Sequence, residues 1–110
     1  MKRIKIIPYG AILHITDDFS EFKKVYERLS GYIAEEGNAG LTYDHQDGNY
    51  YVLVANGGIG TLVHELAHVC LTLSRRVELM DIVNDQEQFC YLIGYLTDQS
   101  LKALPNLRGT

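Results

Sequence analysis

Proline is scarce, with two in 110 residues, and no low-complexity tract interrupts the chain. No linker or repeat therefore divides it. One small domain is expected over 1–110, with its core at about 9–104. Long apolar runs are also missing. None approaches the roughly 20 residues of a membrane span. An excess of basic charge is missing as well: ten Lys and Arg face fourteen Asp and Glu, giving a net charge of -4 and a pI near 5.4. That balance argues against nucleic acid as a partner, because phosphate binding wants a basic face. Cysteine is limited to Cys70 and Cys90. The start MKRIKIIPYGAIL is basic, but Pro8, Tyr9 and Gly10 break its apolar part, so it is not read as a signal peptide. Two cysteines without such a signal suggest free thiols and a cytoplasmic setting.

What is present is a domain's worth of apolar residues, 46% of the chain, in recognisable periods. Residues 3–16 are rich in β-branched side chains, and a first strand is expected near 9–16. Phe19, Phe22, Val25, Tyr26, Leu29 and Ile33 recur at helical spacing, which predicts an amphipathic helix broken by Gly37, Asn38 and Gly40. Two strand-like runs flank Asp47-Gly48, a hairpin turn signal. A helix over 61–77, with Thr61 as cap, and a last one over about 85–103, capped by Asn84 and ending before Pro105, complete the order β-α-β-β-α-α. This predicts an α+β domain with a small sheet.

The chemistry lies in 61–70, TLVHELAHVC. Residues four apart on a helix sit roughly 40° apart and one turn along it, so His64 and His68 share a face. Two imidazoles on one rigid helix supply half of a tetrahedral zinc site. Glu65, next to the first histidine, can reach a water in the open position and act as general base. A third protein ligand is needed. Leu71 and Ser74 stand where a metzincin would have glycine and histidine, so that pattern is excluded. The third ligand is a carboxylate or an upstream histidine such as His14, and the carboxylates downstream are Glu78, Asp81, Asp85, Glu87 and Asp98. Glu87, separated from His68 by eighteen residues, is preferred. In that expectation a short turn brings the last helix back past the first, and its face of Glu87, Tyr91, Gly94, Tyr95 and Asp98 forms the contact, with Gly94 permitting close approach. A second reading makes Glu87 half of a capping box with Asn84.

Several other residues have ordinary readings. His14 is expected on a solvent-facing strand position and His45 beside the turn. Arg75 is expected to pair with a nearby acid. Cys70 and Cys90 are expected in the core. Tyr43, Tyr50 and Tyr51 either line a groove or reflect strand propensity.

HELAH, eighteen residues, then Glu87 resembles the HExxH-x18-E pattern of gluzincin metallopeptidases. VHELAHV followed by DQEQFCYLIGYL is similar, more narrowly, to small phage-encoded zinc peptidases. The resemblance implies a minimal zincin-like fold and one zinc held by His64, His68 and Glu87. It also implies hydrolysis of a peptide or amide bond, in host cytoplasm if the chain is phage-encoded. It implies that the strand before the active helix, Tyr50 to Ala55, is a sheet edge that pairs with extended peptide substrate. A catalytically weak zinc-binding module that engages a protein partner is the competing reading. Thermolysin-like members have Asn before the ligand Glu and Asp four residues after it. Gln86 and Tyr91 occupy those places here. Tyr91 could orient a zinc histidine or donate to the oxyanion.

Overall fold

The computed structural model of the protein describes residues 1–77 and 86–109. They form four strands, β1 (Lys2–Ile6), β2 (Ala11–Thr16), β3 (Gly40–Asp44) and β4 (Asn49–Val54), and three helices, α1 (Phe19–Ser30), α2 (Ile59–Val77) and α3 (Glu87–Ala103). The strands make one mixed sheet in the order β1-β2-β4-β3, with β2 and β4 parallel and the outer pairs antiparallel. The α+β class is as expected. No described helix is long and apolar enough to cross a membrane.

The strand expected near 9–16 is β2, and a further strand, β1, precedes it. Arg3-Ile4-Lys5-Ile6 alternates exposed and buried, which is strand periodicity. Pro8 has no N–H to give a ladder, and Gly10 takes a φ of 68°, so the chain reverses there. Tyr9 N–H bonds the Ile6 carbonyl across the turn at 3.0 Å, and β2 returns with Ala11 opposite Ile6.

α1 begins at Asp18, whose carboxylate accepts from the Ser20 and Glu21 amides at 2.9 and 3.4 Å. It ends earlier than expected. Gly31 adopts the left-handed conformation and closes the last turn, leaving Ile33, expected on the apolar face of the helix, exposed beside Tyr32. The Asp47-Gly48 hairpin forms as expected, with Asp44 opposite Tyr50.

The sheet separates two layers. One face, including Ile4, Ile6, Leu13, Ile15, Val52 and Val54, packs on Leu62, Leu66, Val69 and Leu73 of α2 and Leu92 and Leu96 of α3. The other face meets α1. Phe22 is buried there, Tyr26 lies edge-on to Tyr43 at 5.2 Å, and His14 stacks on Tyr51 at 4.5 Å. His14 also bonds Asn49 at 2.8 Å. It is thus half-buried on the α1 side. Tyr50 is fully buried, so it lines no surface groove.

α2 starts two residues before the expected position. Gly58 supplies the first helical carbonyl, to Leu62 N–H at 3.0 Å, and Asn56 Oδ1 accepts from Gly58 N–H at 2.9 Å. Thr61 is therefore inside the helix and not its cap. Past α3, Arg108 exchanges backbone bonds with Gly57 and Ile59, both at 2.9 Å. The end of α3 is tied to the start of α2, so the two helices run in opposite directions.

Candidate metal centre and its cleft

α2 presents the HExxH residues to different surroundings because successive residues turn by about 100°. Glu65 rotates toward the sheet and is 7% exposed. His64 and His68 face outward, with the His64 side chain 69% exposed. Their rings meet edge to face with centroids 5.0 Å apart, so the two imidazoles do share one face. Thr72 donates its hydroxyl to the His68 carbonyl, one turn on.

β3 forms the opposite wall. Thr42 Oγ1 lies 2.8 Å from Glu65 Oε1 and 3.2 Å from the Glu65 carbonyl. A hydroxyl has one hydrogen, and the shorter contact to the carboxylate takes it. The other carboxylate oxygen, Oε2, sits 3.8 Å from His64 Nε2. Gly40 makes the approach of β3 to α2 possible. A Cβ there would stand 2.7 Å from Thr61 Cγ2, 2.9 Å from Glu65 Cγ and 3.0 Å from the Leu53 carbonyl. Ala39, Gly40, Gly60, Thr61, His64 and Glu65 enclose a cleft of about 400 Å³.

The edge strand at this cleft is β3, which corrects the expectation for Tyr50 to Ala55. β4 is paired on both sides, to β2 and to β3, and its residues Tyr50, Val52, Leu53 and Val54 are buried. It has no open edge to offer. In the β3–β4 ladder, Ala55 N–H bonds the Ala39 carbonyl at 2.8 Å and His45 N–H the Asn49 carbonyl at 3.2 Å. Antiparallel pairing alternates, so Leu41 and Tyr43 turn their backbone groups to β4. Gly40, Thr42 and Asp44 turn theirs to the free edge. Two of these three line the wall or hold Glu65.

Glu87 is not brought to the histidines. α2 continues nine residues past His68, to Val77, which is about 14 Å of helix. α3 runs back from that far end, so Glu87, its first residue, starts there. Among the described residues no three His, Cys, Asp or Glu side chains gather closely enough to hold a metal. The expected contact face of α3 is its solvent face: Glu87, Tyr91, Gly94, Tyr95 and Asp98 are exposed. A Cβ on Gly94 would meet nothing within 4 Å, so it eases no helix approach. Leu92 and Leu96 make the contact instead. Gln86 holds the cap position of α3 with no side-chain bond. Asn84, Glu78, Asp81 and Asp85 lie outside the described residues.

Tyr91 is 76% exposed and stands with Ile7, Pro8 and Tyr9, not with Glu65. Cys70 is buried as expected, and burial pushes its thiol up to about 12. Cys90 is exposed rather than in the core, and both thiols are free. Thr42 and Gly40 are the residues that the motif alone did not single out. Their signal was faint: small and polar residues at alternate positions of one strand, opposite Leu41 and Tyr43. No family model matches the chain, and no curated protein or solved structure is detectably similar to it.

Proposed function

We propose that the cleft between β3 and α2 is the site of a minimal zincin-like, zinc-dependent hydrolase acting on a peptide or amide bond. The observation that carries this reading is the division of labour along HELAH. Two imidazoles meet on the open side of α2, while the glutamate between them is buried and aimed by Thr42 at the cleft. Two imidazoles four apart on one helix suit zinc as donors, and the described residues supply no third. Bound zinc would polarise a carbonyl and lower the pKa of a water. Glu65 Oε2, the oxygen that Thr42 leaves free, is the atom to accept a proton. An extended peptide is the natural occupant, because Gly40 and Thr42 offer outward backbone N–H and C=O groups beside Glu65.

A second reading is a zinc-binding module with little or no turnover. The Thr42–Glu65 bond favours it, since it ties α2 to β3 whether or not any proton moves. The test is elemental analysis of purified protein beside His64→Ala and Glu87→Ala, followed by a peptide-library screen of wild type and Glu65→Gln. Zinc near one per chain, lost in His64→Ala, is expected. Cleavage by wild type and none by Glu65→Gln would establish the hydrolase. Zinc without cleavage in either would leave the module. No zinc in the wild type after metal supply would reject both.

A further inference from the structure

We propose that the groove between α3 and the β1–β2 turn is a docking site for a proline-rich segment carrying a basic residue. It is separate from the HExxH cleft and does not depend on the zinc reading. Tyr91 and Tyr95, one turn apart on α3, face the turn Ile7-Pro8-Tyr9 across a hollow of about 300 Å³. Ile7 is 73% exposed, Tyr91 76% and Tyr95 42%. A second hollow of about 310 Å³ lies on the other side of Ile7 and Pro8, so the apolar surface continues past the turn. Three tyrosines, an isoleucine and a proline at one place make an apolar patch of the kind that marks a binding surface.

The details select the occupant. A β-strand could in principle add to β1, which is a sheet edge. Ile12 N–H bonds Gly48 on the β4 side at 2.8 Å, so Lys5, opposite Ile12, turns its backbone groups outward. The Tyr95 hydroxyl donates to that Lys5 carbonyl at 3.3 Å. The edge is thereby occupied where the groove begins, which disfavours strand addition. A polyproline helix needs no such edge. It packs prolines on aromatic faces, its free carbonyls accept from the Tyr91 hydroxyl and an amide such as that of Gln88, and its stiffness reduces the entropy lost on binding. The rim sets the charge. Glu87 and Asp98 are exposed on the same stripe of α3 as Tyr91 and Tyr95, and the whole chain carries -4. Lys5 marks the β1 side of the groove, so the acidic side is that of α3, which complements a proline-rich ligand with an arginine or lysine placed there.

The test is fluorescence anisotropy of the full chain with a labelled proline-rich peptide bearing one arginine. A peptide with glycine in place of each proline and an amphipathic helical peptide of equal charge serve as comparisons. Saturable binding of the proline-rich peptide alone is expected. Tyr91→Ala and Tyr95→Ala should each weaken it about 10-fold, while Tyr32→Ala, exposed elsewhere, leaves it unchanged. Circular dichroism melts establish that each variant is folded. Replacing the peptide's arginine by alanine should weaken binding to wild type but not to a Glu87→Gln/Asp98→Asn variant. No saturable binding, equal binding of the glycine peptide, tighter binding of the helical peptide, or an unchanged affinity in both tyrosine variants would each overturn the proposal. Equal loss of affinity in wild type and the Gln/Asn variant would overturn the basic residue.

Discussion

A carboxylate at 7% exposure needs hydrogen-bond partners, and for Glu65 the partner that β3 supplies is Thr42. Structural and chemical roles therefore coincide on one side chain, and the choice of substitution decides which is tested. Glu65→Gln keeps an oxygen for Thr42 and should melt within a few degrees of wild type. Glu65→Ala leaves the hydroxyl only the longer contact to the residue-65 carbonyl and opens a void, at a cost of about 1–3 kcal/mol, or roughly 5–15 °C of melting temperature. Equal melting of the two variants would show that the Thr42 contact contributes nothing. The two thiols make a second contrast at this scale. Cys90 is exposed and Cys70 is buried, with its thiol pushed up to about 12 by desolvation. A disulfide reagent at neutral pH should label one thiol per folded chain, and a second only on unfolding. The sign of the pH effect follows from the raised value. The folded state holds the Cys70 proton above the ordinary 9.0, where the unfolded chain has lost it. Stability is full below about 9 and falls as pH rises toward 12. Denaturant melts at pH 7 and 10 should differ by about 1 kcal/mol more in wild type than in Cys70→Ala.

Between elements, the contact that shapes the cleft is β3 against α2, and it depends on a missing side chain. Gly40→Ala would place a Cβ 2.7 Å from Thr61 Cγ2 and 3.0 Å from a backbone carbonyl that cannot rotate away. The variant should lose about 1–3 kcal/mol, measured by urea denaturation. Truncating Thr61 to Ala beside it should recover only part, since the Leu53 carbonyl still resists. The sequence was legible where period and punctuation agree. Asp47-Gly48 marked its hairpin, and Cys70, expected in the core, is buried on the inner side of α2. It was misread where one helix had two candidate faces. α3 carries Leu92 and Leu96 on one side and Glu87, Tyr91, Tyr95 and Asp98 on the other. Treating the polar side as the contact required a metal to justify it, whereas the packing follows the leucines. The length of α2 carried a warning too: a helix that runs to Val77 ends about 14 Å beyond His68 along the axis. The edge position of β3 was not legible, because strand order depends on how β2, α1 and β4 assemble and leaves no local mark.

For the whole molecule, the arrangement concentrates its polar chemistry on one open border of the sheet while a single apolar core joins β1, β2, β4, α2 and α3. A ligand bound at that border stabilises the whole chain, because only the folded state brings β3 and α2 together. On the proposed reading, zinc at about 100 times its dissociation constant should add about 2.7 kcal/mol, a rise of roughly 10–20 °C in melting temperature that a chelator reverses. His64→Ala and His68→Ala should each abolish the rise, since they remove the donors that share the face of α2. Glu87→Ala is the informative variant. It is exposed at the far end of the α2–α3 pair, so its melting temperature with zinc should match the wild type's. Loss of the zinc-dependent rise in Glu87→Ala, with the metal-free melt unchanged, would mean that the first turn of α3 swings to the histidines when metal binds. The HExxH-x18-E ligand set would then assemble only in the metal-bound form. A retained rise would assign the site to His64 and His68 with a third donor other than Glu87.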